Sequence, residues 1–356
     1  MTDTKRELDA LRQEIAAVDV QLVRALDRRA KLSRDIGRLR GDGPALLPVE
    51  PPADLEQLSG RTGDLPPESL RDIFREVRAA CLGLELGVTV AFLGAVGGAG
   101  HAAARGRFGA STPLVPAEYA EAAAAAVVGG RATFAVVPFE TKTDGLVQPT
   151  LAALLGSELK VVATFEAASA VQLVSRSGNV ADVERVYAAP SERAACRSTL
   201  DALGEAGRVS VIEVKSPEVA CMHARDDAAA GALLEESYAA SQDLAACKLE
   251  VHDGPRERVR YAVLGARPAR RTGSDATLLA FSVSDSPGAL LEVLRQFAER
   301  GVNLSKIQSR PTPGEAWSYL FFAELVGHAT DRAVVGAVEE VRRQARFFKL
   351  LGTYAV

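Results

Sequence analysis

Leu8, Leu11, Ile15, Val18, Leu22, Ala25, Arg29, Leu32, Ile36 and Leu39 recur with a seven-residue apolar period. A helix satisfies such a repeat only by packing its seam on a partner helix. One member breaks the apolar rule. The guanidinium of Arg29 keeps its proton, and leaving it unpaired in a helix interface would cost about 3–5 kcal/mol, so it needs an anion. Arg12 and Arg40 flank the same seam, one step past Leu11 and Leu39. On an α-helix Arg29 and Arg40 share a face, with Cα atoms roughly 16 Å apart, so two long arms would leave a gap for a small anion with two negative ends. Arg12 points about 100° away and would serve a neighbouring helix or subunit more easily. The plainer reading is a coiled-coil flank with snorkelling arginines.

The rest of the composition excludes more than it selects. The chain has 356 residues, 47% hydrophobic and 25% charged, enough for two or three domains of ordinary globular composition. A net charge of -4 gives no basic footprint for nucleic acid or a membrane surface. The polar start and the lack of a long apolar run predict neither a signal peptide nor a membrane span, hence a cytoplasmic protein. Cys81, Cys196, Cys221 and Cys247 lie far apart, as free thiols do, and the histidines have no metal-ligand spacing. No metal and no cofactor are expected.

Three segments follow along the chain. Residues 1–86 read as all-helical: a long helix, a Gly- and Pro-rich break over 41–54, and a second helix carrying Leu70, Ile73, Phe74, Val77, Cys81 and Leu84. Their apolar surface exceeds what these helices can cover, which predicts a homodimer or higher homo-oligomer. In residues 87–267, strand-like runs at 88–94, 132–138, 159–165, 170–175, 185–190, 208–214 and 259–265 alternate with helical patterns. That is α/β architecture with a mainly parallel sheet, in two lobes with a cleft between them. Residues 276–356, after a basic linker, read strand, helix, strand, strand, helix, strand, the ferredoxin-like α+β order.

In this order the segments resemble the bifunctional chorismate mutase–prephenate dehydratase family over nearly the whole chain. The tail carries the resemblance best: PGALLEVLRQFAERGVNLSKIQSRPTPGEAWSYLFF is similar to the phenylalanine-binding ACT domain of these enzymes, with Gln308 in place of the usual Glu. The resemblance implies a phenylalanine site at Gly288, Ala289, Leu290 and Leu291 and at Ser309, Arg310 and Pro311, closed across a dimer interface. It implies a chorismate mutase-type helical dimer in which Arg12, Arg29 and Arg40 grip the two carboxylates of chorismate, one of them from the dimer mate. Glu85 stands where the family usually has Gln and would donate to the ether oxygen only when protonated. The two-lobed, periplasmic-binding-like domain would convert prephenate to phenylpyruvate, with phenylalanine as inhibitor.

The middle segment departs from the family pattern. LGPxGTFSHxAA reads Leu93-Gly94-Ala95-Val96-Gly97-Gly98-Ala99-Gly100-His101-Ala102-Ala103-Ala104, with glycine at both hydroxyl positions. VPIEN reads Val137-Pro138-Phe139-Glu140-Thr141 and VYSHPQ reads Val186-Tyr187-Ala188-Ala189-Pro190-Ser191. TRF, whose Thr is the expected acid for the departing hydroxyl, reads Val259-Arg260-Tyr261. Glu140 and Arg260 are retained as candidate cleft residues, Arg260 to hold a carboxylate. The alternative is a catalytically degenerate paralogue acting as a phenylalanine-binding regulatory protein. The glycine run also fits a dinucleotide fingerprint with Glu118 or Glu121 at the acidic spacing, but the order of segments does not suit a nucleotide enzyme.

Overall fold

The computed structural model describes residues 2–40, 65–141, 145–168, 170–205, 207, 209–253, 258–311 and 319–356. The break expected over 41–54 lies outside the described residues, as does the side chain of Arg40. The chain divides into two compact units, one built on the N-terminal helices together with residues 108–113, the other from 89–107 and 114–356. No helix among the described residues is long and apolar enough to cross a membrane.

The helical unit contains α1 (Thr2–Arg40) and α2 (Pro67–Leu86). Proline in the first turn starts α2, where its missing N–H costs nothing, and Gly87 in the left-handed region (φ 58°) ends it by donating to the Gly83 carbonyl at 2.9 Å. The two helices touch closely where Gly37 meets α2. A Cβ there would stand 2.4 Å from the Glu85 carbonyl oxygen, so only glycine fits. Most of the heptad seam of α1 stays uncovered within one chain: Leu11, Ile15, Leu22 and Leu32 are each more than half exposed.

The larger unit opens with β1 (Val90–Leu93), α3 (Ala99–Phe108), β2 (Leu114–Ala117), α4 (Ala120–Val128), β3 (Phe134–Thr141), β4 (Gly145–Leu146), α5 (Gln148–Leu155) and β5 (Lys160–Ala168). A second lobe follows: β6 (Val171–Ser175), β7 (Arg185–Ala188), α6 (Pro190–Ala195), α7 (Arg197–Glu205), β8 (Ser210–Glu213), α8 (Pro217–Asp226), β9 (Ala230–Glu235), α9 (Glu236–Ala239) and β10 (Ala245–Ala246). The chain returns through β11 (Arg258–Gly265). It then forms the tail: β12 (Asp275–Ser282), α10 (Ala289–Glu299), β13 (Leu304–Pro311), β14 (Tyr319–Val326), α11 (Arg332–Gln344) and β15 (Phe347–Ala355).

The first lobe and the tail share one sheet, ordered β13-β14-β12-β15-β5-β11-β3-β1-β2, with β4 on β3. The second lobe has its own sheet, β10-β6-β9-β7-β8. Both are mixed, which corrects the expectation of mainly parallel pairing. β1 pairs in parallel with β2 and β3, whereas the returning β11 lies antiparallel to both β3 and β5. A chain that leaves one lobe and comes back from the other must re-enter running the opposite way. Among the described residues, strand pairing joins tail and lobe at one parallel register pair, Gly352 with Val161. A Cβ on Gly352 would stand 2.3 Å from the Val161 carbonyl oxygen. Leu279, Phe281, Val293, Phe297, Val334 and Val341 form a separate core between the tail sheet and its two helices.

Candidate functional site

In the helical unit, Arg29 reaches from α1 to α2 and donates from Nη1 to the Val77 carbonyl at 3.3 Å. Burial, then the Arg29 charge, pulls the guanidinium pKa of Arg78 down, so two cations compete for this part of the groove. Glu85 lies on α2 beside Gly37, about two further turns along the same helix contact. Arg12 is exposed and bonds Asp9 at 3.3 Å. Seventeen residues separate it from Arg29, about 25 Å along a straight helix, so both grip one small anion only if Arg12 comes from another chain.

In the larger unit the glycine-rich turn after β1 brings α3 against the second lobe. Gly94 and Gly97 both take positive φ, 105° and 89°. A Cβ on Gly97 would stand 2.7 Å from the Tyr238 ring, and one on Gly100 would stand 2.0 Å from the Leu93 carbonyl oxygen. The glycines thus serve close packing, and at Gly100 the backbone leaves no room for a seryl side chain. Beside them lies a cavity of about 350 Å3, lined by Ala99, Arg107, Phe165, Glu166, Glu235 and Val259 among others. Arg107 supplies its cation. Tyr261 lines it too, and burial followed by the Glu235 charge pushes this phenol up to about 12. His101 packs edge-on toward Tyr238 and tilted on Phe92, and burial holds its imidazole below the ordinary value, hence neutral.

Two carboxyls stand here that the motifs do not announce. Glu235 ends β9, a strand buried along its whole length, and Glu192 lies in α6; their residues are 5% and 3% exposed. The Ser191 hydroxyl donates to Glu192 Oε2 at 2.7 Å. Burial raises the Glu192 pKa, and the neighbouring Glu235 charge adds to the rise. The signal for both was in the sequence, a carboxylate at or just beyond the end of an apolar strand, but β9 itself went unrecognised.

Arg260 and Glu140 come together, on the opposite face of the sheet. Side chains alternate along β11, so when Val259 and Tyr261 face the cavity, Arg260 faces away. Arg260 Nη1 bonds Glu140 Oε2 at 3.3 Å and Glu324 Oε2 at 3.0 Å, and Nη2 bonds Thr164 Oγ1 at 3.3 Å. Its guanidinium also lies over the rings of Phe139 and Tyr354. Lys306 of β13 bonds Glu140, and the hydroxyls of Tyr354 and Ser305 donate to Glu324 at 2.6 and 2.7 Å. Burial opposes ionisation of Glu324, but these two hydroxyls together with Arg260 and Lys306 hold its pKa below the ordinary value. The retained Arg and Glu of the lobe motifs are therefore bonded to two strands of the tail, β13 and β14, and lie against a ring of a third, β15. Arg260 also borders a second cavity, with Thr164, Arg107 and Ala355.

In the tail, Gly288 caps α10 in the left-handed region (φ 87°), with Ala289, Leu290 and Leu291 in the first turn. Ser309, Arg310 and Pro311 end β13, the edge strand of the sheet. Only β14 separates that edge from β12, which leads into the Gly288 turn; two strand spacings amount to about 9.5 Å. Gln308 Oε1 accepts from the Leu146 N–H at 2.9 Å, and Arg310 Nη2 donates to the Leu146 carbonyl at 3.0 Å. The edge strand thereby holds β4, the partner of the β3 segment that carries Glu140.

Comparison with known proteins covers all three segments. The chorismate mutase type II family model matches residues 11–86, the prephenate dehydratase model 90–269 and the ACT domain model 277–343. A bifunctional chorismate mutase/prephenate dehydratase of Aquifex aeolicus is 35% identical, with 98% of each chain covered. That of Pseudomonas aeruginosa is 29% identical, covering 98% of this chain and 97% of its own. Among solved structures, prephenate dehydratase of Arthrobacter aurescens in complex with L-Phe superposes with a TM-score of 0.63 at 32% identity, over 76% of this chain and 90% of its own.

Proposed function

As this chain belongs to the bifunctional chorismate mutase–prephenate dehydratase family, we propose how its residues divide the work of converting chorismate to prephenate and prephenate to phenylpyruvate under phenylalanine control. It is a homologue of these enzymes of L-phenylalanine biosynthesis, and the whole-length match to them does not favour a catalytically degenerate regulatory paralogue. The observation that carries the reading is Arg29, a cation set on an apolar helix seam and aimed at the second helix. Two chains pack their exposed α1 seams together in the cytoplasm as a homodimer. Arg29 and Arg40 of one chain and Arg12 of the mate then hold the chorismate dianion in its reactive conformer, and Glu85 adjoins the ether oxygen, to which only its protonated form donates.

In the larger unit, Arg107 holds a prephenate carboxylate in the cavity beside Val259. Arg260 and Glu140 act at one remove, as the joint between the dehydratase strands and the effector-binding tail. Phenylalanine binds at the Gly288–Leu291 turn and the Ser309–Pro311 strand end. The domains divide at 1–86, 87–267 and 276–356. The test is direct: purified protein is given chorismate and prephenate separately, with and without phenylalanine, and prephenate and phenylpyruvate are followed. Both conversions are expected, the second inhibited by phenylalanine. Failure with chorismate rejects the mutase assignment, and failure with prephenate rejects the dehydratase assignment.

A further inference from the structure

Aromatisation of prephenate breaks the ring C–CO2 bond, and its electron pair enters the ring. The ring hydroxyl then leaves with its own bonding pair and needs a proton to depart as water. In this chain Val259 occupies the position where the resemblance places that donor, and a valine has no proton to give. The cavity that Val259 lines has one carboxyl contributed by the second lobe, that of Glu235. It is 5% exposed, on the last residue of an apolar strand, where an ordinary surface carboxylate would not be found. The equally buried Glu192 lies near enough for the Glu235 charge to raise its pKa. A Cβ at Gly98 would come within 3.9 Å of Glu192 Oε1, so this carboxyl takes up space beside a position where the family carries a hydroxyl. Two hydroxyl positions have thus lost their oxygen, at Val259 and Gly98, and two buried carboxyls adjoin the same places.

We propose that Glu235, the buried carboxyl that the second lobe brings to the cavity beside Val259, is the acid that protonates the departing hydroxyl in this chain. The carboxyl O–H bond breaks as the new O–H bond forms on the leaving oxygen, giving water, carbon dioxide and phenylpyruvate. Solvent returns the proton to Glu235 once product leaves. Glu235 is the catalytic residue, and Glu192, beside Gly98, is a positioning residue. Around the two carboxyls stand Ser191 of α6, Tyr238 of α9, Tyr261 of β11, His101 and Arg107 of α3 and Glu166 of β5.

The proposal rests on the dehydratase reading, and the experiment separates the two. Full-length protein and its Glu235→Gln, Glu192→Gln and Glu235→Gln/Val259→Thr variants are assayed with prephenate across pH. Mutase activity serves as the folding control. Glu235→Gln is expected to lower kcat by about 10²–10⁴-fold, the usual worth of a positioned acid, with KM nearly unchanged. Val259→Thr is expected to restore part of that loss by supplying a hydroxyl at the original position. Glu192→Gln is expected to lower kcat by less than Glu235→Gln and to change the pH profile of kcat with KM nearly unchanged, as a positioning residue does. Wild-type kcat in Glu235→Gln overturns the acid and leaves the dehydratase reading intact. So does a loss carried by KM alone, which would make Glu235 a binding residue. Wild-type protein that isomerises chorismate but never converts prephenate overturns both.

Discussion

At the scale of single residues, sequence periodicity located Arg29 but misjudged what surrounds Arg260. The heptad seam marks Arg29 because a charge on an apolar stripe is conspicuous in one dimension. Arg29→Ala is therefore expected to abolish chorismate turnover, measured by prephenate formation, while the folded helical unit is retained or gains stability from losing a costly charge. For Arg260 the sequence offered only a motif position. Its partners Glu324, Lys306 and Tyr354 come from strands far along the chain, and no local pattern announces a partner that only sheet closure supplies. Glu324 carries a pH signature of this cluster. Its folded pKa is depressed, so its contribution to stability is present above the unfolded carboxylate value, about 4.3, and is lost as pH falls through the folded value. Glu324→Gln should cost about 3 kcal/mol at neutral pH, by leaving Arg260 short of a buried partner. In urea melts the gap between variant and wild type should close as the solution is acidified. A gap that stays constant down to pH 3 would reject this assignment.

Among the elements, the tail was the most legible part, because β13 alternates cleanly, its other strands are apolar runs and its helices carry a regular apolar face. β2 and β9 were not legible, for different reasons. β2 contains Pro116, which argues against a strand, and it is tolerated because β2 is the sheet edge and pairs only with β1. β9 reads Ala-Gly-Ala-Leu-Leu-Glu with no β-branched residue; it is extended because it is buried centrally between β6 and β7. Missing β9 meant missing Glu235. Two glycines test the element geometry. Gly288→Val should weaken phenylalanine binding in calorimetry on the full chain, since the left-handed cap (φ 87°) is strained for a β-branched residue and α10 would start differently. Unchanged affinity would move the effector site elsewhere. Gly352→Ala should lower stability by about 1–3 kcal/mol, because β15 must retreat from the Val161 carbonyl to admit the methyl group. A thermal melt with an unchanged midpoint would show that the sheet absorbs the change.

For the whole molecule, the apolar seam of α1 is exposed in a single chain, and the proposed function has a second chain cover it and lend its Arg12. Ile15→Glu, which places a charge on the seam, should dissociate the protein in sedimentation and remove mutase activity together. An active monomer would show that one chain completes its own site. At the other end, the first lobe and the tail share one sheet through β15 and β5, and Arg260 ties them further. That seam bears on inheritance and engineering. A tail cut at the linker before β12 would carry an unpaired β15 edge away and leave β5 with another, both open to other chains. A regulatory tail grafted from a relative would have to bring matching neighbours for β5 and β11, so effector response and dehydratase scaffold are expected to diverge as a pair, without being exchanged singly.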